Sequence, residues 1–122
     1  MTRLLLLFVS FMALQGCDAL FAVDTLVCDP SGGPVAGARV SVHYASSGAE
    51  RTSCTTDASG QCKASTVTGT GRFTVVVSAA GFKNAVITVP TSTASRLRVT
   101  LAPVTSTEAS RAELVPGRLR PG

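Results

Sequence analysis

Residues 71–82 read GRFTVVVSAAGF. Phe73, Val75 and Val77 fall on one side of an extended chain and Thr74, Val76 and Ser78 on the other, after which Ala80-Gly81 breaks the pattern. Period-2 alternation ended by a glycine turn is the pattern of a strand with one face in a core and the other toward water.

The same reading extends outward in both directions. In ARVSVHYA (38–45) Val40, Val42 and Tyr44 share a face, opposite Arg39, Ser41 and His43. KNAVITVP (83–90) buries Ala85, Ile87 and Val89, and SRLRVTL (95–101) buries Leu97, Val99 and Leu101 while Arg96, Arg98 and Thr100 face water. Turns separate these runs at short intervals. DPSG (29–32) and DASG (57–60) both carry Asp first and Gly fourth, with Gly32 and Gly60 free to take positive φ. Further breaks fall at SSG (46–48), TGTG (68–71), AAGF (79–82) and PTSTA (90–94). The expectation is an all-β fold over 23–103, a single seven-stranded antiparallel β-sandwich whose sheets each keep a wet side.

The quoted segments also carry a resemblance. VDTLVCDPSGGPVAGARVSV, then TTDASGQC, then GRFTVVVSAAGF resembles, in order and spacing, the carboxypeptidase regulatory-like domain, a small sandwich of the transthyretin-like, Ig-like kind. The resemblance implies that fold, an accessory or adhesive role, no catalytic residues and no cofactor. The chain departs from the family at Cys62, where an apolar or aromatic residue is common.

The N-terminal stretch MTRLLLLFVSFMALQGC has one early cation, Arg3, and an apolar run from Leu4 to Leu14 broken at Ser10. The run is too short to cross a bilayer, which needs about 20 residues, and has the form of a signal peptide over 1–16. Leu14-Gln15-Gly16-Cys17 resembles the lipobox of bacterial lipoproteins, with Gln15 larger than usual. It implies lipidation of Cys17, a tether over 17–22, and an exported protein anchored by lipid to a bacterial membrane. At the other end, residues 104–122 are rich in Ser, Thr, Pro and charge without sustained periodicity, and are expected to form a flexible tail.

Three cysteines remain after Cys17: Cys28, Cys54 and Cys62. A zinc site wants four Cys or His ligands in close pairs, whereas His43 is the sole histidine and no Cys-x-x-Cys occurs. Calcium wants several alternating oxygen ligands, and Asp57 is the one carboxylate of its loop. The expectation is a disulfide between Cys54 and Cys62, directly opposed or diagonal across a hairpin closed by DASG. Pairing of Cys28 with either is the alternative, since sequence does not set connectivity. Val27 shares a face with Val23 and Thr25, and the family resemblance implies that this face is the inward one, so Cys28 is expected to point outward or toward an edge, as a small filler or an intermolecular disulfide partner.

Function is narrowed mainly by absences. Acid-base catalysis needs converging titratable groups, and His43 alternates onto a wet face. Hydroxyisourate hydrolase shares the transthyretin-like fold, but its histidine and arginine set and its Tyr-Arg-Gly-Ser motif do not occur in this chain. A sugar platform needs exposed aromatics, yet the chain has no Trp, and its single Tyr, Tyr44, lies on an apolar face. Eleven Lys and Arg oppose seven Asp and Glu, a net charge of +4, and the cations are spread singly, which does not suit nucleic acid. These observations leave a non-catalytic module at the cell envelope, tethered to the membrane and meeting a protein partner there, with a carbohydrate- or peptide-binding accessory domain as the alternative.

Overall fold

The structure, a computed structural model, describes residues 20–67, 72–90 and 95–115. Eight strands form: β1 (Leu20–Cys28), β2 (Arg39–Tyr44), β3 (Glu50–Thr55), β4 (Gln61–Val67), β5 (Arg72–Ser78), β6 (Ala85–Pro90), β7 (Ser95–Thr100) and β8 (Arg111–Leu114). They make two four-stranded sheets, sheet A in the order β4-β1-β7-β8 and sheet B in the order β3-β2-β5-β6. All neighbours are antiparallel except β1 and β7, which run parallel with Val23 beside Ser95 and Cys28 beside Thr100. The chain alternates direction at every strand. The starts of β1, β3, β5 and β7 therefore lie at one end of the sandwich with the ends of β2, β4, β6 and β8.

The alternation in sequence becomes the inner faces of the two sheets. Val40, Val42, Phe73, Val75, Val77 and Val89 of sheet B are fully buried against Val23, Val27, Leu97 and Val99 of sheet A, with Leu101 joining them. Ile87 and Tyr44 are only partly buried, because they sit toward the open margins of sheet B. The Tyr44 ring stacks on Phe73 with centroids 5.6 Å apart. Ladder hydrogen bonds fix the register, and that register sends every second residue inward.

The strand count and the chain ends differ from the sequence expectation. β1 begins at Leu20 rather than Val23, so residues 20–22, assigned to the tether, pair with Ser65–Val67 of β4. β8 and the loop before it fall inside the segment read as a flexible tail, and the single parallel pair departs from an all-antiparallel sandwich. The loop is held by polar bonds that composition does not reveal. Lys83 Nζ donates to the carbonyls of Ser106 and Glu108, both at 2.6 Å. The Ser110 hydroxyl donates to the Lys83 carbonyl at 2.7 Å and accepts from the Ala102 amide at 2.8 Å. Together with the backbone bonds from the Lys83 amide to the Ala102 carbonyl at 2.8 Å and from the Val104 amide to the Gly81 carbonyl at 3.0 Å, one ammonium group and one hydroxyl thus hold an apolar-poor segment, after which Arg111–Leu114 adds to the edge of β7. Replacing Lys83 with Met is expected to cost about 1–3 kcal/mol. Hydrogen exchange should speed up over 104–114 while β2 and β5 keep their protection.

Candidate interaction surface

The outward face of sheet A carries most of the charge of that sheet, and the register sets it in rows. Lys63, Asp24 and Arg96 form one row across β4, β1 and β7; Gln61, Leu26, Arg98 and Glu113 form the next; Cys28, Thr100 and Arg111 form the third. Leu26 is buried on this outward face, outside the main core. Two shallow depressions open here. One of ≈450 Å³ is lined by Asp24, Asp57, Gln61, Lys63 and Arg96, and one of ≈350 Å³ by Cys28, Asp29, Arg98, Glu108 and Arg111. The acids and bases alternate across strands, so neither depression gathers the like charges or convergent carboxylates that acid-base or metal chemistry needs. Among the described residues no group of three or more His, Cys, Asp or Glu is placed to hold a metal ion.

Cys54 and Cys62 are bonded, with Cα atoms 6.0 Å apart. Their surroundings differ from the expected hairpin. β3 is an edge of sheet B and β4 an edge of sheet A, so the two strands do not pair with each other and the disulfide straps one sheet to the other. Cys54 lies opposite Val40 and Cys62 opposite Thr25, and both sulfurs pack on the core. The bond joins the two sheet edges covalently. Cys28 is a free thiol, half-buried on the outward face, as the family resemblance implies.

The two Asp-x-Ser-Gly turns are built alike at the end of the sandwich away from the chain start. Asp29 Oδ1 accepts from the Ser31 amide at 3.0 Å, the Ser31 hydroxyl at 2.6 Å and the Gly33 amide at 2.9 Å. Asp57 Oδ1 accepts from the Ser59 amide at 2.9 Å, the Ser59 hydroxyl at 2.7 Å and the Gln61 amide at 3.1 Å. Gly32 and Gly60 take φ of 90° and 80°. The serine hydroxyls first, and the backbone amides after them, hold both carboxyls below the ordinary aspartate value of 3.8. A value lower in the folded than in the unfolded chain stabilises the fold above the unfolded value, and that contribution is lost as pH falls through the folded one. The urea midpoint is therefore expected to drop on acidification from about pH 4.5 to about pH 2.5. The drop should be smaller in a variant with Asp29→Asn and Asp57→Asn; an equal drop in both proteins would assign it to other groups.

His43 has partners that its sequence reading did not supply. Its Nε2 lies 2.9 Å from Ser41 Oγ and its Nδ1 3.1 Å from the Gly48 carbonyl. With Nδ1–H donating to that carbonyl, Nε2 accepts from the serine hydroxyl. Spacing of two on one strand was the available signal, because it puts both side chains on one face. The pair does not make a nucleophilic site. Ser41 is 8% exposed, and β2 is a central strand whose amides are committed to ladders on both sides, which leaves no donors for an oxyanion. Tyr44, the one candidate for a sugar platform, stacks on Phe73 and carries the Arg51 guanidinium 5.2 Å from its ring centroid.

Cys17 lies outside the described residues. Among those described, no helix is long and apolar enough to cross a membrane. The disulfide points to an extracytoplasmic location, where thiols oxidise and stay oxidised.

Comparison with known structures supports the fold. The chain is similar to 5-hydroxyisourate hydrolase of Klebsiella pneumoniae, at 19% identity and a TM-score of 0.61, over 77% of this chain and 98% of that one. It is also similar to part of catechol 1,2-dioxygenase of Pseudomonas arvilla C-1, at 16% identity and a TM-score of 0.50, over 80% of this chain and 50% of that one. Identities this low carry the sandwich and nothing of the chemistry. A comparison with curated protein sequences finds no match. A sequence model of the carboxypeptidase regulatory-like domain matches residues 23–102, which runs from within β1 to past the end of β7 and covers most of the chain. With the two-sheet topology and the paired Asp-x-Ser-Gly turns, that match settles its affiliation: the chain belongs to the carboxypeptidase regulatory-like domain family.

Proposed function

We propose that the protein is a non-catalytic, lipid-anchored β-sandwich of the bacterial cell envelope that acts there as an interaction or structural module. The observation that carries this reading is the apolar leader ending in Leu14-Gln15-Gly16-Cys17, joined almost directly to a sandwich of a regulatory-like family. A lipid on Cys17 leaves three peptide links, about 11 Å at full stretch, before β1 begins at Leu20. The domain is then a membrane-proximal body, and its contacts are with the bilayer or with proteins that approach it. The absence of a convergent polar site among the described residues supports a binding rather than a chemical role. Growth with labelled palmitate tests the anchor: label should enter the wild-type protein and be lost in Cys17→Ser, whereas equal labelling of both would overturn the reading.

A further inference from the structure

We infer that the outer edge of β6 is a pairing site for β6 of a second copy of this chain, an assignment that rests on the reading of the protein as an interaction module and names its partner. Among the described residues the two sheets end in four edge strands, β4 and β8 in sheet A and β3 and β6 in sheet B. Three of them are closed or interrupted. The Cys54–Cys62 bond ties β3 to β4, and β3 also carries a bulge, since His43 pairs with Glu50 and Val42 with Thr52. β8 is four residues long and charged at Arg111 and Glu113. β6 has none of these devices. Its sequence AVITVP is uncharged, pairs with β5 in unbroken register and holds its one proline at the end. Such a strand, unpaired on one side, is a template for another strand.

Apolar side chains gather on the same side of the sandwich. The large hydrophobic residues exposed among those described are Val86, Val104 and Leu114. Val86, 61% exposed, stands on β6 itself. Val104 lies beside the turn that leads into β6, its amide donating to the Gly81 carbonyl at 3.0 Å. Leu114 closes β8, the strand of sheet A that packs across from β6. The outward face next to the edge is uncharged as well, with Thr74 beside Thr88 and Val76 beside Val86.

The partner that fits this edge is an uncharged, β-branched strand of similar length, and β6 of another copy is such a strand. Paired antiparallel about a two-fold axis normal to sheet B, the two strands match in length, outward side chains meet outward ones, and no like charges are brought together. The same rotation brings Val104, at the end where β6 starts, toward Leu114 of the other copy, at the end where β6 finishes. The chain's own C-terminal residues 116–122 read PGRLRPG, whose two prolines and two arginines do not suit a strand on this edge. Six residues give about 20 Å of edge, fewer than the roughly 20–30 residues a side of a stable interface. The pairing therefore draws on the anchor, which concentrates copies on one surface. With the two-fold axis along the membrane normal, both Cys17 lipids enter the same leaflet.

Photo-crosslinking of the full-length protein in its membrane tests the pairing. A benzophenone side chain in place of Thr88, which is exposed on β6, should give on irradiation a dimer in which peptide mapping joins position 88 to β6 of a second chain. The same probe in place of Thr55, exposed on β3, should give none. Val86→Lys sets two ammonium groups across the pair and should lower the yield from position 88 about tenfold, while the urea midpoint stays unchanged. Equal yield in that variant overturns the strand pairing, as does a crosslink confined to one chain, a crosslink only to a different protein, or none. Labelling with palmitate reads the anchor separately. Unlabelled protein that still crosslinks through position 88 overturns the anchor and leaves the pairing standing, and labelled protein without the crosslink does the reverse.

Discussion

Replacing Cys54 and Cys62 together with serine is expected to lower the free energy of unfolding by about 2–3 kcal/mol without changing the fold. The bond closes a loop of sequence separation 8, and a ring of about nine residues removes about 2.5 kcal/mol of denatured-state entropy in the loop-closure account. Its position adds a local consequence. β3 and β4 are edge strands of different sheets, so no ladder remains between them when the bond is gone. Amide exchange should accelerate first in β3 and in β4 near Cys62, ahead of the central strands β2 and β5. Equilibrium denaturation and exchange on the variant measure both effects. Unchanged stability, or a non-reduced peptide joining Cys28 to Cys54 or Cys62, would contradict the pairing.

Gly60→Ala should be at least as damaging, at about 2–4 kcal/mol, through two separate costs. Gly60 has φ of 80°, in the left-handed region that a side chain disfavours. An added Cβ would also stand 2.5 Å from the Val27 carbonyl oxygen and 3.1 Å from Pro34 Cβ. That carbonyl is fixed, because it accepts from the Val35 amide at 2.9 Å, and the Gly60 carbonyl accepts from the Val27 amide at 2.7 Å. The backbone therefore has little room to yield. Gly32→Ala separates the two costs. Gly32 has φ of 90° but nothing within 4 Å of a Cβ, so only the conformational cost of about 1–2 kcal/mol applies. Equal losses from the two substitutions, measured by chemical denaturation, would show that the contact with Val27 is not felt.

The inner faces of the sandwich were legible in the sequence because each depends on local alternation. Val40, Val42, Phe73, Val75, Val77, Leu97 and Val99 all face the core, and Cys28 faces away from it, as the family resemblance implied. The pairing of Cys54 with Cys62 was legible from their places on either side of the Asp57–Gly60 turn, although the hairpin expected between them does not form. Which strand each cysteine's neighbour pairs with was not. A short Asp-x-Ser-Gly turn commonly joins a hairpin, and here it carries the chain from one sheet to the other because β4 adds to β1 rather than to β3. β8 was missed because Arg111-Ala112-Glu113-Leu114 is short and charged, and it is held by partners distant in sequence, the ladder to β7 and the bonds of Lys83 and Ser110 that join positions more than twenty apart.

The central claim, a sandwich held at a bacterial membrane by its own N-terminal cysteine, is tested most directly by mass spectrometry of the mature N-terminus from the membrane fraction. The expected product begins at Cys17 and carries a diacylglycerol on the Cys17 sulfur. A soluble product that begins at Val23, cut inside the first strand and free of lipid, would contradict it.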